Sequence, residues 1–185
     1  MNEVIFTTVH GSRLYGFEHE GSDYDTFTVT DSTSPRAKQR IVGDHNHFEI
    51  GIHRFLDLAM SGSHQSVEAM FSPEKKWAVT EAARKWRPLI EGARVGGSEV
   101  FDKYERTIRK FCYGDFKRRR HAVRLRYDLA DLRQFGKLKS VRTSAPMVQL
   151  YSMIASSELD GDGLARQLGV YKSRGGERED TFHQT

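Results

Sequence analysis

Strand-like segments are confined to the first 52 of the 185 residues, and this distribution is the strongest constraint on the fold. Residues 4–9 form a β-prone run, and residues 25–30 and 47–52 alternate apolar with polar side chains. After residue 54 the apolar spacing becomes helical. We therefore expect an α/β (α+β) fold in which a small mixed β-sheet is backed by helices and followed by a C-terminal helical region.

Glycine, proline and serine divide the helical part of the chain. The pattern predicts helices over residues 54–60, 65–71, 72–86 and 145–156, and a loop over residues 31–40. A longer helical segment spans residues 99–135, with an interruption near Gly114 and an end at Gly136. We predict a core over residues 1–92, a helical region over residues 93–158 that closes a cleft, and a loose C-terminal tail over residues 159–185.

The charges are distributed unevenly along the chain. The net charge is +4, yet residues 1–34 hold six acidic residues and one basic residue, whereas residues 103–142 hold fourteen basic and four acidic residues. An acidic first segment and a basic helical body suit a site where carboxylates hold metal cations while Lys and Arg attract a polyanion. A solvated helix surface is the alternative explanation of the basic segment.

Composition excludes several classes of protein. With 37% hydrophobic residues the chain can form a packed core, so wholesale disorder is not expected. No segment approaches the roughly 18 consecutive apolar residues of a membrane span, and the first residues lack the pattern of a signal peptide. The single cysteine, Cys112, excludes an internal disulfide and is predicted to be buried. We expect a soluble, cytoplasmic protein with no membrane partner.

The most informative residues lie between the first two predicted strands. The sequence there is Gly11-Ser12-Arg13-Leu14-Tyr15-Gly16, followed by Gly21-Ser22-Asp23-Tyr24-Asp25. Because side chains alternate along a strand, Asp23 and Asp25 point to the same face. Mg²⁺ prefers carboxylate oxygens, and two carboxylates can bridge a pair of ions that activate an attacking oxygen and neutralise a leaving pyrophosphate.

The glycine-containing turn supplies the complementary half of such a site. Gly11 permits close approach of the backbone to a ligand, and Gly11 and Ser12 supply donors for phosphate oxygens. The planar guanidinium of Arg13 is a further candidate ligand for a triphosphate oxygen, with a surface ion pair as the alternative role.

The order and spacing of Gly11-Ser12-Arg13, Gly16 and Ser22-Asp23-x-Asp25 resemble, without an insertion, the signature of the DNA polymerase beta-like nucleotidyltransferase superfamily. The resemblance implies that Gly11 and Ser12 begin a helix that binds the nucleotide triphosphate, with Ser22 in the same nucleotide-binding motif. It also implies that Asp23 and Asp25 hold catalytic Mg²⁺ or Mn²⁺.

The superfamily normally has a third carboxylate on the next strand, which completes the metal site and helps to deprotonate the incoming hydroxyl. Glu49 is the candidate here, because it lies on the predicted strand over residues 47–52 and faces opposite to Phe48 and Ile50. Asp44 takes this role if the strand register differs. The alternative for Glu49 is an exposed strand carboxylate without a catalytic role.

Segments further along the chain resemble a subgroup of predicted bacterial and phage nucleotidyltransferases. They are Ile52-His53-Arg54-Phe55-Leu56 and Glu68-Ala69-Met70-Phe71-Ser72-Pro73, although Ser63-His64 stands where the subgroup has Asn-Pro. The resemblance continues at Lys117, His121 and Arg124, whose spacing places them along one helix face. These three residues are candidates for neutralising nucleotide phosphates or for contacting an RNA or DNA backbone, against the alternative of a solvated basic helix.

The implied reaction transfers a nucleoside monophosphate from an NTP substrate to a hydroxyl acceptor and releases pyrophosphate. The acceptor, whether RNA, protein or a small molecule, stays open. Two alternatives stay open as well. One is a non-catalytic nucleic-acid-binding protein that uses the basic helices, and the other is an antitoxin-like nucleotidyltransferase that modifies a partner protein.

Overall fold

The sheet has the mixed character that the sequence predicted. The computed structural model describes residues 2–16, 23–139 and 143–172, and the side chain of Ser12 lies outside this description. Within these residues the strands are β1 (Val4–His10), β2 (Tyr24–Thr30), β3 (Lys38–Val42), β4 (His45–Gly51) and β5 (Lys76–Trp77). Their order across the sheet is β3-β4-β2-β1-β5. β2 and β4 are parallel, and the other neighbours are antiparallel.

Helices make up most of the rest of the described chain, which confirms the predicted fold class. They are α1 (Ser12–Tyr15), α2 (Ile52–Met60), α3 (His64–Phe71), α4 (Glu81–Gly92), α5 (Ser98–Cys112), α6 (Phe116–Phe135), α7 (Ala145–Ala155) and α8 (Gly161–Gln167). None of these described helices is both long and apolar enough to cross a membrane. Cys112, at the end of α5, is a free, buried thiol as predicted.

One face of the sheet packs on the hydrophobic core. In the parallel register of β2 and β4, Asp25 lies beside Asn46 and Phe27 beside Phe48, so all four side chains point to the same face. Phe27 is buried, and its ring centroid lies 5.9 Å from that of Phe55 in α2. We call the face that carries Phe27 and Phe48 the inner face, and the opposite face of the sheet the outer face.

The long helical segment predicted over residues 99–135 is two helices, α5 and α6. Asp115 begins α6, because its side chain accepts a hydrogen bond of 2.8 Å from the backbone N–H of Arg118. Gly136 ends α6 in the left-handed conformation, at φ +65°, and its N–H donates to the Leu132 carbonyl. The predicted interruption near Gly114 and the predicted end at Gly136 are both confirmed.

The loop predicted over residues 31–40 is shorter than expected. Residues 38–42 form β3 at the edge of the sheet, where Gln39 pairs with Phe48 and Ile41 with Asn46. All five residues of β3 are exposed. Because Lys38, Gln39 and Arg40 are polar, the segment has no alternation from which a strand can be predicted.

The helix predicted over residues 72–86 is wrong in its first half. Trp77 in β5 pairs with Phe6 in β1, and their ring centroids are 5.3 Å apart. This pairing holds the chain extended, and α4 begins only at Glu81. Thr80 caps the helix, because its side chain accepts a hydrogen bond of 3.0 Å from the Ala83 N–H.

Part of the segment predicted as a loose tail is ordered. Leu164 of α8 is buried. One arginine of α5 and one of α6 bind backbone carbonyls of the residues that follow α8. Arg109 donates to the Val170 carbonyl at 2.8 Å, and Arg126 donates to the Leu168 carbonyl at 2.9 Å. The rest of the predicted tail, residues 173–185, lies outside the described residues.

Candidate functional site

Asp25 lies near the start of β2 on the inner face. Its neighbours across the sheet are His10, the last residue of β1, and Asn46 of β4. The Asn46 side-chain amide donates a hydrogen bond of 2.9 Å to Asp25 Oδ1. This bond orients the carboxylate at the end of the sheet where β1 leaves it.

The turn that follows β1 lies directly against Asp25. Gly11 has a φ of +68°, in the left-handed region that favours glycine. A β-carbon at Gly11 would lie 2.2 Å from Asp25 Oδ2, closer than the two atoms can approach. The chain then makes the single turn of α1 and leaves it at Gly16, at φ +73°. The structure therefore brings Gly11 and Asp25, the two predicted halves of the site, into contact.

Asp23 and Asp44 lie at the same end of the sheet. Asp23 is exposed and precedes β2 by one residue. The N–H of Tyr24 donates to the carbonyl of Asp44 at 2.8 Å, which ties the turn between β3 and β4 to the start of β2. The Asp44 side chain is exposed and lies 3.5 Å from His45 Nε2. Ser22 lies outside the described residues.

The structure does not bring Glu49 to Asp25. Glu49 pairs with Thr28 of β2, which is three residues from Asp25 and therefore points to the outer face. On that face Glu49 Oε1 lies 3.6 Å from Lys38 Nζ. The inner-face residue beside Asp25 is instead Asn46.

A buried ion pair lies behind the Gly11 turn, which we define as residues 11–16. Arg124 of α6 donates to Glu68 Oε1 of α3 at 2.6 Å, and both side chains are almost fully buried. Arg124 also lies 3.7 Å above the centre of the Tyr15 ring, and the Tyr15 hydroxyl donates to Glu68 Oε2. The second terminal nitrogen of Arg124 donates to His121 Nδ1 at 2.8 Å. The turn is thus anchored through Tyr15 to two helices.

Burial sets the protonation states around this ion pair. It lowers the pKa of His10 and His64, and lowers the pKa of His121 to about 4, so these imidazoles are neutral at neutral pH. Burial alone would raise the pKa of Glu68, but the Arg124 charge brings it below its usual value. Asp128 has a pKa well above its usual range because it is buried and close to the Glu68 charge. The Arg124 charge thus favours the ionised form of Glu68, whereas burial favours the protonated form of Asp128, whose Oδ2 lies 4.0 Å from Arg124 Nε.

The predicted phosphate-binding face of α6 does not form as a single exposed surface. Lys117 is exposed, but Arg124 is buried against Glu68 and His121 accepts a hydrogen bond from Arg124. Arg124 therefore has a structural role in holding the Gly11 turn.

The Arg13 guanidinium, the other predicted phosphate ligand, lies 5.2 Å from the centre of the Tyr24 ring.

The donor set at Asp23 and Asp25 fits a divalent cation only together with a substrate. Within the described ranges no three His, Cys, Asp or Glu side chains are grouped to hold a metal ion. Mg²⁺, however, usually binds through one or two protein carboxylates and takes its other ligands from water and substrate phosphates. Asp23 and Asp25 supply two carboxylates, which is the number of protein ligands that Mg²⁺ or Mn²⁺ needs in such a site.

Comparison with known proteins gives little similarity. No protein-family model matches the sequence, and no curated protein matches it. The crystal structure of a nucleotidyltransferase-like protein from Exiguobacterium sibiricum is similar to this chain with a TM-score of 0.36 and 8% sequence identity. The similarity covers 91% of this chain and 66% of that one, so this chain spans about two thirds of that protein's length. A likeness at this level carries no argument about activity.

Two neighbours of the site were not predicted from the sequence. His10 and Asn46 flank Asp25, and only the strand register shows this. The inner-face position of Asn46 could have been predicted from the sequence, since Asn46 lies two residues before Phe48 and therefore shares its face. The Glu68–Arg124 pair joins residues 56 positions apart, and no local pattern signals such a pair.

Proposed function

We propose that this chain is a metal-dependent nucleotidyltransferase of the DNA polymerase beta-like superfamily. It transfers a nucleoside monophosphate from an NTP to a hydroxyl acceptor. The acceptor oxygen forms a bond to the α-phosphorus, and the bond from that phosphorus to the bridging oxygen breaks. Pyrophosphate leaves with the electron pair of that bond, and the hydroxyl proton passes to solvent.

The observation that carries this proposal is the contact between Gly11 and Asp25. The left-handed glycine lets the backbone of the turn lie against the Asp25 carboxylate, so the turn and the carboxylate are placed where they can act on one ligand. A turn offers backbone N–H groups to phosphate oxygens, whereas a carboxylate alone repels them. A divalent cation bound with the nucleotide removes this repulsion, because the cation is attracted both to the carboxylate and to the phosphate oxygens.

Asp23 and Asp25 are the residues that would hold Mg²⁺ or Mn²⁺. When bound, the cation supplies neutralisation of phosphate charge. Asn46 contributes by orienting Asp25 through the hydrogen bond of 2.9 Å to Oδ1. Gly11 and Ser12 contribute backbone donors to the triphosphate, and Glu49 has no part in this arrangement.

The buried ion pair supports the proposal as a positioning device. Tyr15 is the last residue of α1, and it is held by Glu68 through its hydroxyl and by Arg124 over its ring. Thr143 adds two hydrogen bonds to the Tyr15 carbonyl, of 2.9 Å from its hydroxyl and 3.4 Å from its N–H. Anchoring of this kind holds phosphate donors in a fixed geometry, which is the main protein contribution to phosphoryl chemistry.

The test measures pyrophosphate release and transfer of label from each α-labelled NTP, with Mg²⁺ or Mn²⁺ and a cell extract as the source of acceptor. We expect Asp23→Ala with Asp25→Ala to lower pyrophosphate release at least about 100-fold with the fold intact by circular dichroism. Asp57→Ala, at an exposed carboxylate of α2, is the matched control and should retain the wild-type rate. Full release by the double variant would contradict the proposal.

The same experiment distinguishes the classes of acceptor. Label that is removed by ribonuclease indicates an RNA acceptor, and label that is removed by protease indicates a modified protein. Label in small molecules indicates a metabolite. Absence of NTP turnover under every condition, together with salt-sensitive RNA binding, would favour a non-catalytic nucleic-acid-binding protein.

A further inference from the structure

The outer face of the sheet carries a row of rings that the proposed reaction does not use. Tyr24 pairs with His45, and Thr26 with His47, so these four side chains share the outer face. His45 and His47 are exposed, and Tyr24 and Thr26 are half-buried. An open face is ordinary in an antiparallel or mixed sheet and is usually polar, and here it carries adjacent rings.

These rings form a ladder of defined geometry. The ring centroids of Tyr24 and His45 are 5.3 Å apart, and those of His45 and His47 are 6.1 Å apart with planes within 13° of parallel. A hydrogen bond of 2.6 Å between Thr26 Oγ1 and His47 Nδ1 fixes the His47 ring. The Arg13 guanidinium extends the ladder, with its central carbon 5.2 Å from the centre of the Tyr24 ring.

The edge strand β3 adds positive charge to the same face. Its register with β4 places Lys38 and Arg40 on the outer face. Lys38 is 71% exposed and lies 3.6 Å from Glu49, whereas Arg40 has no carboxylate partner in the described part of the chain. Glu49 and, at the rim, Asp44 are carboxylates of this face, and within the described residues neither of them is paired with Arg40. Arg40 is therefore placed to contact an anionic ligand.

We propose that the outer face binds single-stranded nucleic acid, with bases stacked along the Tyr24, His45 and His47 rings and phosphates near Arg40 and Lys38. Unpaired bases stack on tyrosine and histidine rings and on arginine planes, and each stacked base adds affinity without requiring a particular sequence. Duplex bases keep their faces covered, so a row of exposed rings selects single strands. An acidic polypeptide satisfies the cations but leaves the rings unused.

Helix α6 is a weaker candidate for the same ligand, although it has more cations. Its arginines are largely engaged within the molecule: Arg124 pairs with Glu68, Arg119 donates to the Gly114 carbonyl, and Arg126 donates to the Leu168 carbonyl. Lys117 and Arg118 are the exposed cations of its first turn. They serve as the matched control, because they are basic and exposed but lie on a helix and not on the outer face of the sheet.

The experiment measures fluorescence anisotropy of labelled 12-nucleotide RNA and DNA strands of mixed sequence with the full chain, without NTP or divalent metal. The readout is therefore independent of the proposed reaction. We expect salt-sensitive binding of a single strand and little competition by a duplex of the same length or by poly-glutamate. His45→Ala with His47→Ala should weaken binding at least about tenfold, and Arg40→Gln about threefold or more. Lys117→Gln with Arg118→Gln should change it less than about twofold.

Three binding results would overturn the assignment, and one competition result would do so as well. The binding results are no binding of either strand by the wild-type chain, unchanged binding by the double histidine variant, and loss of binding by the α6 variant. Equal competition by poly-glutamate would also overturn it, since charge alone would then explain the affinity. Arg40→Gln changes only one exposed side chain, so its result stands if the histidine variant does not fold. Comparison of the RNA and DNA strands identifies which of the two the face prefers.

Discussion

Substitution of Gly11 by alanine tests the contact on which the candidate site is built. A β-carbon there meets Asp25 Oδ2 at 2.2 Å, and the backbone has φ +68°. The left-handed conformation costs an alanine about 1–2 kcal/mol. Relief of the clash moves the Asp25 carboxylate off the Asn46 amide, and loss of a hydrogen bond to a charged group costs about 1.5–3 kcal/mol more. The total is about 2.5–5 kcal/mol.

Gly169 provides a closely matched control. It has the same φ of +68°, but no atom lies within 4 Å of the position of its β-carbon. Gly169→Ala should therefore show the backbone cost alone. In a chain of this size 1 kcal/mol changes Tm by about 2–4 °C, so we expect Tm to fall by about 2–8 °C in Gly169→Ala and by about 5–20 °C in Gly11→Ala.

The assays are thermal unfolding and pyrophosphate release, measured on both variants. Because Gly11→Ala displaces Asp25, we expect its pyrophosphate release to fall at least about tenfold at a temperature where it is folded. Gly169→Ala should keep the wild-type rate. Equal losses of Tm in the two variants, together with full pyrophosphate release by Gly11→Ala, would refute the reasoning.

Two further predictions concern the buried ion pair. Glu68→Gln removes the carboxylate that contacts buried Arg124 at 2.6 Å and leaves it only Asp128, 4.0 Å from its Nε, so the free energy of unfolding should fall by about 3–5 kcal/mol. Glu91→Gln, at the exposed pair that Arg87 makes at 2.8 Å, should lower it by less than about 1 kcal/mol, and urea denaturation that gives equal losses would contradict this. Burial lowers the pKa of His121 from 6.5 to about 4, so the unfolded chain binds more protons between these values. Stability should thus fall as pH drops from about 6.5 to about 4, and the fall should be smaller in His121→Gln. The same pH dependence of Tm in both chains would exclude His121 as a cause.

The fold class followed from the sequence because strands and helices differ in the period of their apolar residues. Phe27 and Val29 alternate with threonines in β2, and this pattern predicted a strand with one buried face. β5 could not be predicted, since its two residues are extended only because Trp77 pairs with Phe6. That pairing joins segments about 70 residues apart, and no local propensity encodes it.

Of the candidate site, only the Gly11 turn and the start of β2 were predicted from the sequence. Alternation within β4 correctly placed Glu49 opposite to Phe48. Whether Glu49 shares a face with Asp25 depends on how β4 lies beside β2, and the sequence does not contain that register. The register puts Phe48 beside Phe27, which is two residues from Asp25, and Glu49 therefore points to the outer face.

Charge was the least informative feature of the sequence. Arg124 belongs to the most basic segment, and its type and spacing predicted a ligand for phosphate. The structure buries it between Tyr15 and Glu68, where its charge is paired with the Glu68 carboxylate. A buried arginine and an exposed one are identical in sequence, and only the position of a distant carboxylate distinguishes them.

Binding of Mn²⁺ in the presence of a non-hydrolysable NTP analogue tests most directly that Asp23 and Asp25 act with the Gly11 turn on one ligand. Electron paramagnetic resonance measures the free Mn²⁺ as protein is added. We expect the wild-type chain to bind Mn²⁺ with the analogue and only weakly without it, and we expect Asp23→Asn with Asp25→Asn to weaken this binding at least about tenfold. Identical Mn²⁺ binding by the two chains would contradict a shared ligand at Asp23, Asp25 and the Gly11 turn.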